Sequence, residues 1–219
     1  MFAIHENPPV PKTLIFDFDG TLIISMPTVL RVFAQIAQKH GLDPVTAAQA
    51  ETLRDLSARE LIAQFHFSPL QVIRLVRHMN AEIAKEIESI PLAPGMQNVL
   101  SRLSAAGHTL GIISSNNEPT ITKYLLAHNL TQFNWIYCEK NLFGKAHLLR
   151  KTSKRHAFAL RDAYYIGDEV RDIEAARAAG VHAVSVTWGF NSAKALEAKK
   201  PDFLIHTPED LLAIFPDTQ

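Results

Sequence analysis

The sequence predicts an α/β protein: a parallel, Rossmann-like sheet flanked by helices, with a small inserted helical cap. Three observations lead there. From residue 91 onward, short apolar runs alternate with helical periodicity, the pattern of a parallel sheet covered on both faces. The stretch 25–90 carries helical periodicity alone. Each apolar run ends in a polar cluster, and ligands of such sheets sit at the carboxyl ends of the strands. The expected division is a core of 1–24 and 91–219, with 25–90 as the cap.

Pro8, Pro9 and Pro11 make the first residues a tail, since they oppose helix and central strand. The first strand is Leu14-Ile15-Phe16, and it runs into Asp17-Phe18-Asp19-Gly20-Thr21. Side chains alternate along a strand, so Asp17 and Asp19 point the same way. Two buried carboxylates this close repel unless a cation or a proton lies between them. Gly20 permits a tight turn. An Asx-type turn that merely ends the strand is the alternative reading.

Pro27 opens a helix striped with Val29, Leu30, Phe33 and Ile36, which Gly41 can end. Asp43-Pro44 starts a second, and Ser57-Ala58-Arg59-Glu60 is a capping box for a third. Ser68-Pro69 starts a fourth, with Val72, Ile73, Val76, Ile83 and Ile87 as its apolar stripe. His40, His66 and His78 show no metal-site spacing and read as surface or helix-face residues.

Pro91 to Gly95 returns the chain to the core, followed by a helix from about Met96 to Ala106. Thr109–Ile113 is the second strand and ends in Ser114-Ser115-Asn116-Asn117 before a helix. Hydroxyls and unpaired helix N–H groups meet there, which suits an anion; helix capping by Asn117 explains the same residues. Trp135–Cys138 is the third strand, and a basic helix follows over Leu148–Leu160. Its charges read as a solvated face, whereas Lys145 stands at the loop-to-helix junction. Tyr164–Gly167 is the fourth strand and leads into Asp168-Glu169-Val170-Arg171-Asp172 and the helix Ile173–Ala179. Val181–Val186 and Phe203–His206 complete the sheet, and Pro208 opens a terminal helix.

Composition narrows the function. Lysine plus arginine and aspartate plus glutamate both number 22, so no broad field favours nucleic acid or an anionic membrane. Cys138 is the single cysteine, which excludes an internal disulfide and a cysteine-rich zinc site. Within an apolar strand it is a structural thiol. No leader pattern and no spanning segment is evident, so a cytoplasmic protein is expected, as monomer or homodimer.

Asp17-Phe18-Asp19-Gly20-Thr21 resembles the first motif of the haloacid dehalogenase superfamily, mostly magnesium-dependent phosphatases working through an aspartyl-phosphate. The other motifs follow in the family's order. Ser114, after Gly111-Ile112-Ile113, resembles the second; Lys145 the third; Gly167-Asp168 with Asp172 the acidic fourth. Pro94-Gly95 is similar to the family's return from a helical cap, and the whole chain is closest to the phosphoglycolate phosphatase-like branch.

The resemblance implies a small phosphorylated metabolite as substrate, with no nucleic-acid or membrane partner. Asp17 would be the nucleophile and Asp19 the general acid and base. Asp17, the main-chain carbonyl of Asp19, and Asp168 would hold Mg2+, with Asp172 supporting a metal-bound water or Lys145. Ser114 and Lys145 would hold the phosphoryl oxygens, with Ser115 and Asn116 beside them. Arg54, before the third helix, would read a second anionic group on the substrate. Departures from the family pattern leave Lys140 as an alternative to Lys145, and Glu169 as an alternative to Asp172. A phosphomutase on the same scaffold and a non-catalytic phosphate-binding protein are the competing functions. Dehalogenation is disfavoured by the acid at Asp19.

Overall fold

A computed structural model describes residues 10–39, 46–64, 66, 68–139 and 144–216. The strands among them are β1 (Thr13–Phe16), β2 (Thr109–Ser114), β3 (Phe133–Cys138), β4 (Ala163–Gly167), β5 (His182–Val186) and β6 (Phe203–Ile205). They form one parallel sheet in the order β3-β2-β1-β4-β5-β6. The strand order reverses between β1 and β4, and in open α/β sheets a crevice forms at the carboxyl ends there. Asp17 follows β1 and Asp168 follows β4.

β1 is central because its four residues are buried on both faces. Leu14 and Phe16 enter one core and Ile15 the other, the alternation that a period of two dictates. The helices are α1 (Met26–Lys39), α2 (Ala47–Leu53), α3 (Ala58–Gln64), α4 (Pro69–Lys85), α5 (Met96–Ala105), α6 (Glu118–Ala127), α7 (Lys145–His156), α8 (Val170–Ala179), α9 (Ala193–Ala198) and α10 (Asp210–Ile214). Leu14 and Phe16 share their core with α5, α6 and α10; Ile15 shares its core with α7, α8 and α9.

The helices α1–α4 lie between β1 and α5 in the chain. They leave and rejoin the core through a narrow two-stranded neck. There Ile24 N donates to Pro91 O at 2.8 Å, Ala93 N donates to Leu22 O at 2.8 Å, and Ile23 bridges Leu92 antiparallel. No described helix is long and apolar enough to cross a membrane.

Several boundaries differ from the expectation. α2 begins at Ala47, capped by Thr46 and Gln49; Asp43-Pro44, His40 and Gly41 lie outside the described residues. On α4, Ile73 is 56% exposed and belongs to the outer face, not to the apolar stripe. β3 starts at Phe133 because Asn134 makes an irregularity in the pairing: the register shifts between Leu110 and Gly111, and Asn134 Oδ1 takes the Leu110 N–H at 3.0 Å. α7 starts three residues before Leu148, at Lys145, and ends at His156 with Ala157 in the left-handed region. α9 had no sequence signal in this reading; Ser192 caps it through the Ala195 N–H.

Candidate active site

Three side chains, Asp17, Lys145 and Asp172, and one turn build the floor of the site. Gly20 takes φ +75, which lets the chain leave β1 sharply, and its N–H donates to Ser25 Oγ at 3.1 Å. Asp17 Oδ1 accepts the Phe18 N–H at 2.8 Å. Its other oxygen, Oδ2, accepts from Lys145 Nζ at 2.5 Å, and the same ammonium reaches Asp172 Oδ1 at 2.7 Å. Lys145 is 1% exposed and lies 5.3 Å from the ring centroid of Tyr165, whose hydroxyl donates to Ile113 O. Asp172 Oδ2 accepts the Glu169 N–H at 3.0 Å, so both of its oxygens have protein donors. Glu169 instead pairs with Arg171.

Asp168 is held from two sides. Thr21 Oγ1 donates to its Oδ1 at 2.8 Å, and the Phe190 N–H donates to its Oδ2 at 2.7 Å. Gly20 and Gly189 both press against this carboxyl group; a Cβ on either would overlap it. Trp188 Nε1 in turn donates to Thr21 O at 3.0 Å.

The turn after β2 supplies the remaining predicted residues. Ser114 is fully buried, and its Oγ accepts the Asn116 N–H at 3.1 Å; a hydroxyl that accepts can still donate. Ser115 Oγ accepts from Arg171 Nη2 at 3.4 Å. Asn116 donates to Asp19 Oδ2 at 2.9 Å, so its amide addresses the acid of the first motif, where the sequence reading aimed it at phosphate. Asp19 Oδ1 is buried with no hydrogen-bond partner among the described residues. Asn117 caps α6 through the Thr120 N–H, so the capping reading of this turn also holds.

Burial pushes the Asp17 carboxyl up to about 6 against the pull of Lys145. Burial also raises Asp19, opposed first by its hydrogen bond to Asn116. Asp168 is raised well above the carboxylate range by burial and by the charges of Glu169, Asp172 and Asp17. Burial alone would lower Lys145, but Asp17 and Asp172 outweigh it and hold the ammonium ionised. Asp17, Asp168 and Asp172 each place a carboxylate oxygen within 4.8 Å of the others. Lys145 bonds two of these three acids, so with all three ionised a cation would be needed to offset the remaining charge. Oxygen-only donors at that density fit a hard divalent cation.

Above the floor lies a cavity of about 370 Å3 that Asp17, Asp19, Ser115, Arg171 and Arg54 line together with apolar residues of α1 and α4. Arg54 does reach the core. It donates to Phe190 O and Gly189 O, both at 3.2 Å, and pairs with Glu51 at 3.0 Å. Three of its nitrogens thus already meet protein acceptors. Lys140 lies outside the described residues. Cys138 is a half-buried free thiol, pushed up to about 12 by burial first and by Glu118 and Asp17 second, which suits a structural group.

Thr21, Arg171 and the turn Trp188–Asn191 went unassigned in the sequence reading. Thr21 closes the Asp17–Thr21 motif, and Arg171 lies between Asp168 and Asp172. The Trp188–Asn191 turn works through main-chain groups, an indole and a side-chain amide, which no residue pattern announces.

Comparison with known proteins agrees with this architecture. A family model described as haloacid dehalogenase-like hydrolase matches residues 14–186. A phosphoglycolate phosphatase of Synechococcus elongatus is 36% identical over 202 residues, covering 92% of this chain and 95% of its own. One from Xanthomonas campestris is 30% identical, covering 82% and 85%. Among solved structures, a haloacid dehalogenase-like family hydrolase from Streptococcus pneumoniae superposes with a TM-score of 0.77 at 26% identity, covering 94% of this chain and 98% of its own. A predicted phosphatase from Clostridium acetobutylicum gives 0.81 at 18%, with 94% and 99% covered, a likeness of fold. With the sheet order, the four clusters at its carboxyl edge and these matches together, the chain belongs to the haloacid dehalogenase-like hydrolases.

Proposed function

We propose that the protein is a phosphatase that hydrolyses small phosphate monoesters through an aspartyl-phosphate on Asp17, with phosphoglycolate as the first substrate to test. The observation that carries this reading is the contrast between two acids one residue apart. Asp17 is held by the ammonium of Lys145, while Asp19, which lines the same cavity, keeps one buried oxygen without a hydrogen-bond partner.

Asp17 Oδ attacks phosphorus, and the bond from phosphorus to the substrate oxygen breaks. Asp19, favoured in its protonated form by burial, gives that oxygen its proton. Asp19, now a carboxylate, then takes a proton from water, which attacks the phosphoryl group and frees Asp17. Asn116 orients Asp19 by its 2.9 Å hydrogen bond, so the acid keeps one oxygen toward the reaction. Ser114 and Lys145 would donate to the phosphoryl oxygens.

Asp17, Asp168 and the main-chain carbonyl of Asp19 would hold magnesium, and Asp172 supports Lys145 in preference to the metal. When bound, the ion neutralises carboxylate and phosphate charge and so lets the two approach. The helices α1–α4 act as the cap of residues 25–90, and their apolar cavity wall excludes water from the floor.

Release of phosphate from p-nitrophenyl phosphate and from phosphoglycolate, with and without magnesium, tests the reading. Magnesium-dependent release that Asp17→Asn abolishes is expected. Asp19→Asn should slow turnover by roughly a hundredfold or more. A folded wild-type protein that releases phosphate from neither ester, nor from a panel of phosphorylated metabolites, would overturn it.

A further inference from the structure

Asn191 stands between two parts of the molecule that are far apart in sequence. It is 5% exposed, and both of its amide donors and its acceptor oxygen have partners. Nδ2 donates to Arg54 O at 2.9 Å and to Leu56 O at 2.8 Å, both in the turn between α2 and α3. Oδ1 accepts the Val170 N–H at 2.8 Å, at the start of α8, and the Asn191 N–H donates to Asp168 O at 3.3 Å.

The residues around it repeat the same division. On the side of the helical insert, Ser192 N donates to Arg54 O at 3.0 Å, Ser192 Oγ bonds Asp55, and Lys194 pairs with Asp55 at 3.0 Å. Arg54 grips the carbonyls of Gly189 and Phe190. On the side of the sheet, the Phe190 N–H holds Asp168 Oδ2. One short turn therefore has the insert on one flank and the carboxyl group of Asp168 on the other. A buried amide with every donor and acceptor used has one orientation, so it transmits position between the groups it joins.

We propose that Asn191 is a positioning residue: by locking the 54–56 turn of the helical insert to the 168–170 turn of the sheet, it sets the orientation of the Asp168 carboxylate and hence the affinity for magnesium. This rests on the reading of Asp168 as a metal carboxylate given above. Asp168 cannot turn without moving the Phe190 N–H, and Phe190 is gripped by Arg54 while its neighbours Asn191 and Ser192 are tied to Leu56 and Asp55. Outer partners of metal carboxylates commonly govern affinity by ten- to a hundredfold.

The test is calorimetric titration of magnesium chloride into the substrate-free protein. Asn191→Leu, close in volume, removes both donors and the acceptor and should bind magnesium about tenfold more weakly than wild type. The magnesium concentration for half-maximal turnover of p-nitrophenyl phosphate should rise in parallel, while KM at saturating magnesium stays near the wild-type value, a split that general unfolding would not give. Asp55→Ala unties only exposed contacts of the insert and should weaken magnesium binding in the same direction, by about twofold. Asp55→Ala decides the matter if Asn191→Leu does not fold. Unchanged magnesium affinity in the folded variants overturns the inference, as does a wild-type protein that binds no magnesium. Weaker binding in variants of a protein that releases no phosphate would sustain this inference and remove the phosphatase reading instead.

Discussion

Lys145 Nζ lies 2.5 Å from Asp17 Oδ2, and that contact is wholly buried beneath the cavity. A lysine so placed offsets the charge of Asp17 and, under the proposed mechanism, that of any phosphoryl group that approaches it. Lys145→Ala should lower kcat/KM roughly a hundredfold or more on any phosphate ester. Arginine at this position should not restore activity, because its planar fork does not fit a site shaped for a compact ammonium. Lys140→Ala should leave kcat/KM near the wild-type value. Steady-state kinetics on the three variants checks this, and a larger loss in Lys140→Ala would reverse the assignment.

Asp17 makes the fold less stable at neutral pH in the absence of a divalent cation. Its folded value of about 6 lies above the ordinary 3.8, so the folded state holds a proton that the unfolded chain has already lost. Stability is then fully present below the unfolded value and is lost as pH rises through about 6. Asp17→Asn cannot ionise. It should be more stable than wild type at pH 7.5 in chelator, by on the order of 1–3 kcal/mol, with the difference shrinking as pH falls toward 4. Thermal melts across that range measure it; a variant less stable than wild type at pH 7.5 would contradict the linkage.

Gly189 is required because a Cβ there would overlap the side chain of Asp168. Gly189→Ala should displace that carboxyl group without unfolding the sheet. Magnesium-dependent activity should fall by at least tenfold while the melting temperature shifts by only a few degrees. Activity near wild type would mean that Asp168 can move aside at no loss.

Arg54 joins the helical insert to the carbonyls of Gly189 and Phe190. Its removal should therefore lower kcat/KM on phosphoglycolate and on p-nitrophenyl phosphate by similar factors. Selective loss on phosphoglycolate alone would show instead that the guanidinium reads the substrate's second anionic group.

The sheet was legible because each strand is a short apolar run closed by polar residues, and the run-and-cluster pattern is what a parallel sheet demands. The carboxylates of the site were legible for the same reason: Asp17, Asp19, Asp168 and Asp172 all follow strand ends. The partners of Asn116 and Arg54 were not legible, since their reach depends on rotamers and on where a distant turn lies. Trp188-Gly189-Phe190-Asn191 was silent because its work falls to main-chain N–H groups and to a side-chain amide, and neither charge nor periodicity marks them. The start of α7 was hidden by a first turn, Lys145-Ala146-His147, that carries no apolar stripe.

The neck at Ile23 and Leu92 bears on how the chain folds. β1 must find β2 and β4 across long stretches of sequence, and such distant pairing is slow when every intervening residue has to be drawn in. Once Leu22–Ile24 and Pro91–Ala93 have zipped together, the four helices between them become a side branch, and the path from β1 to β2 shortens to little more than α5. Sheet assembly then no longer waits on the order of the helices. A circularly permuted chain opened within α1–α4 should lose this shortcut and fold more slowly, with its native sheet unchanged.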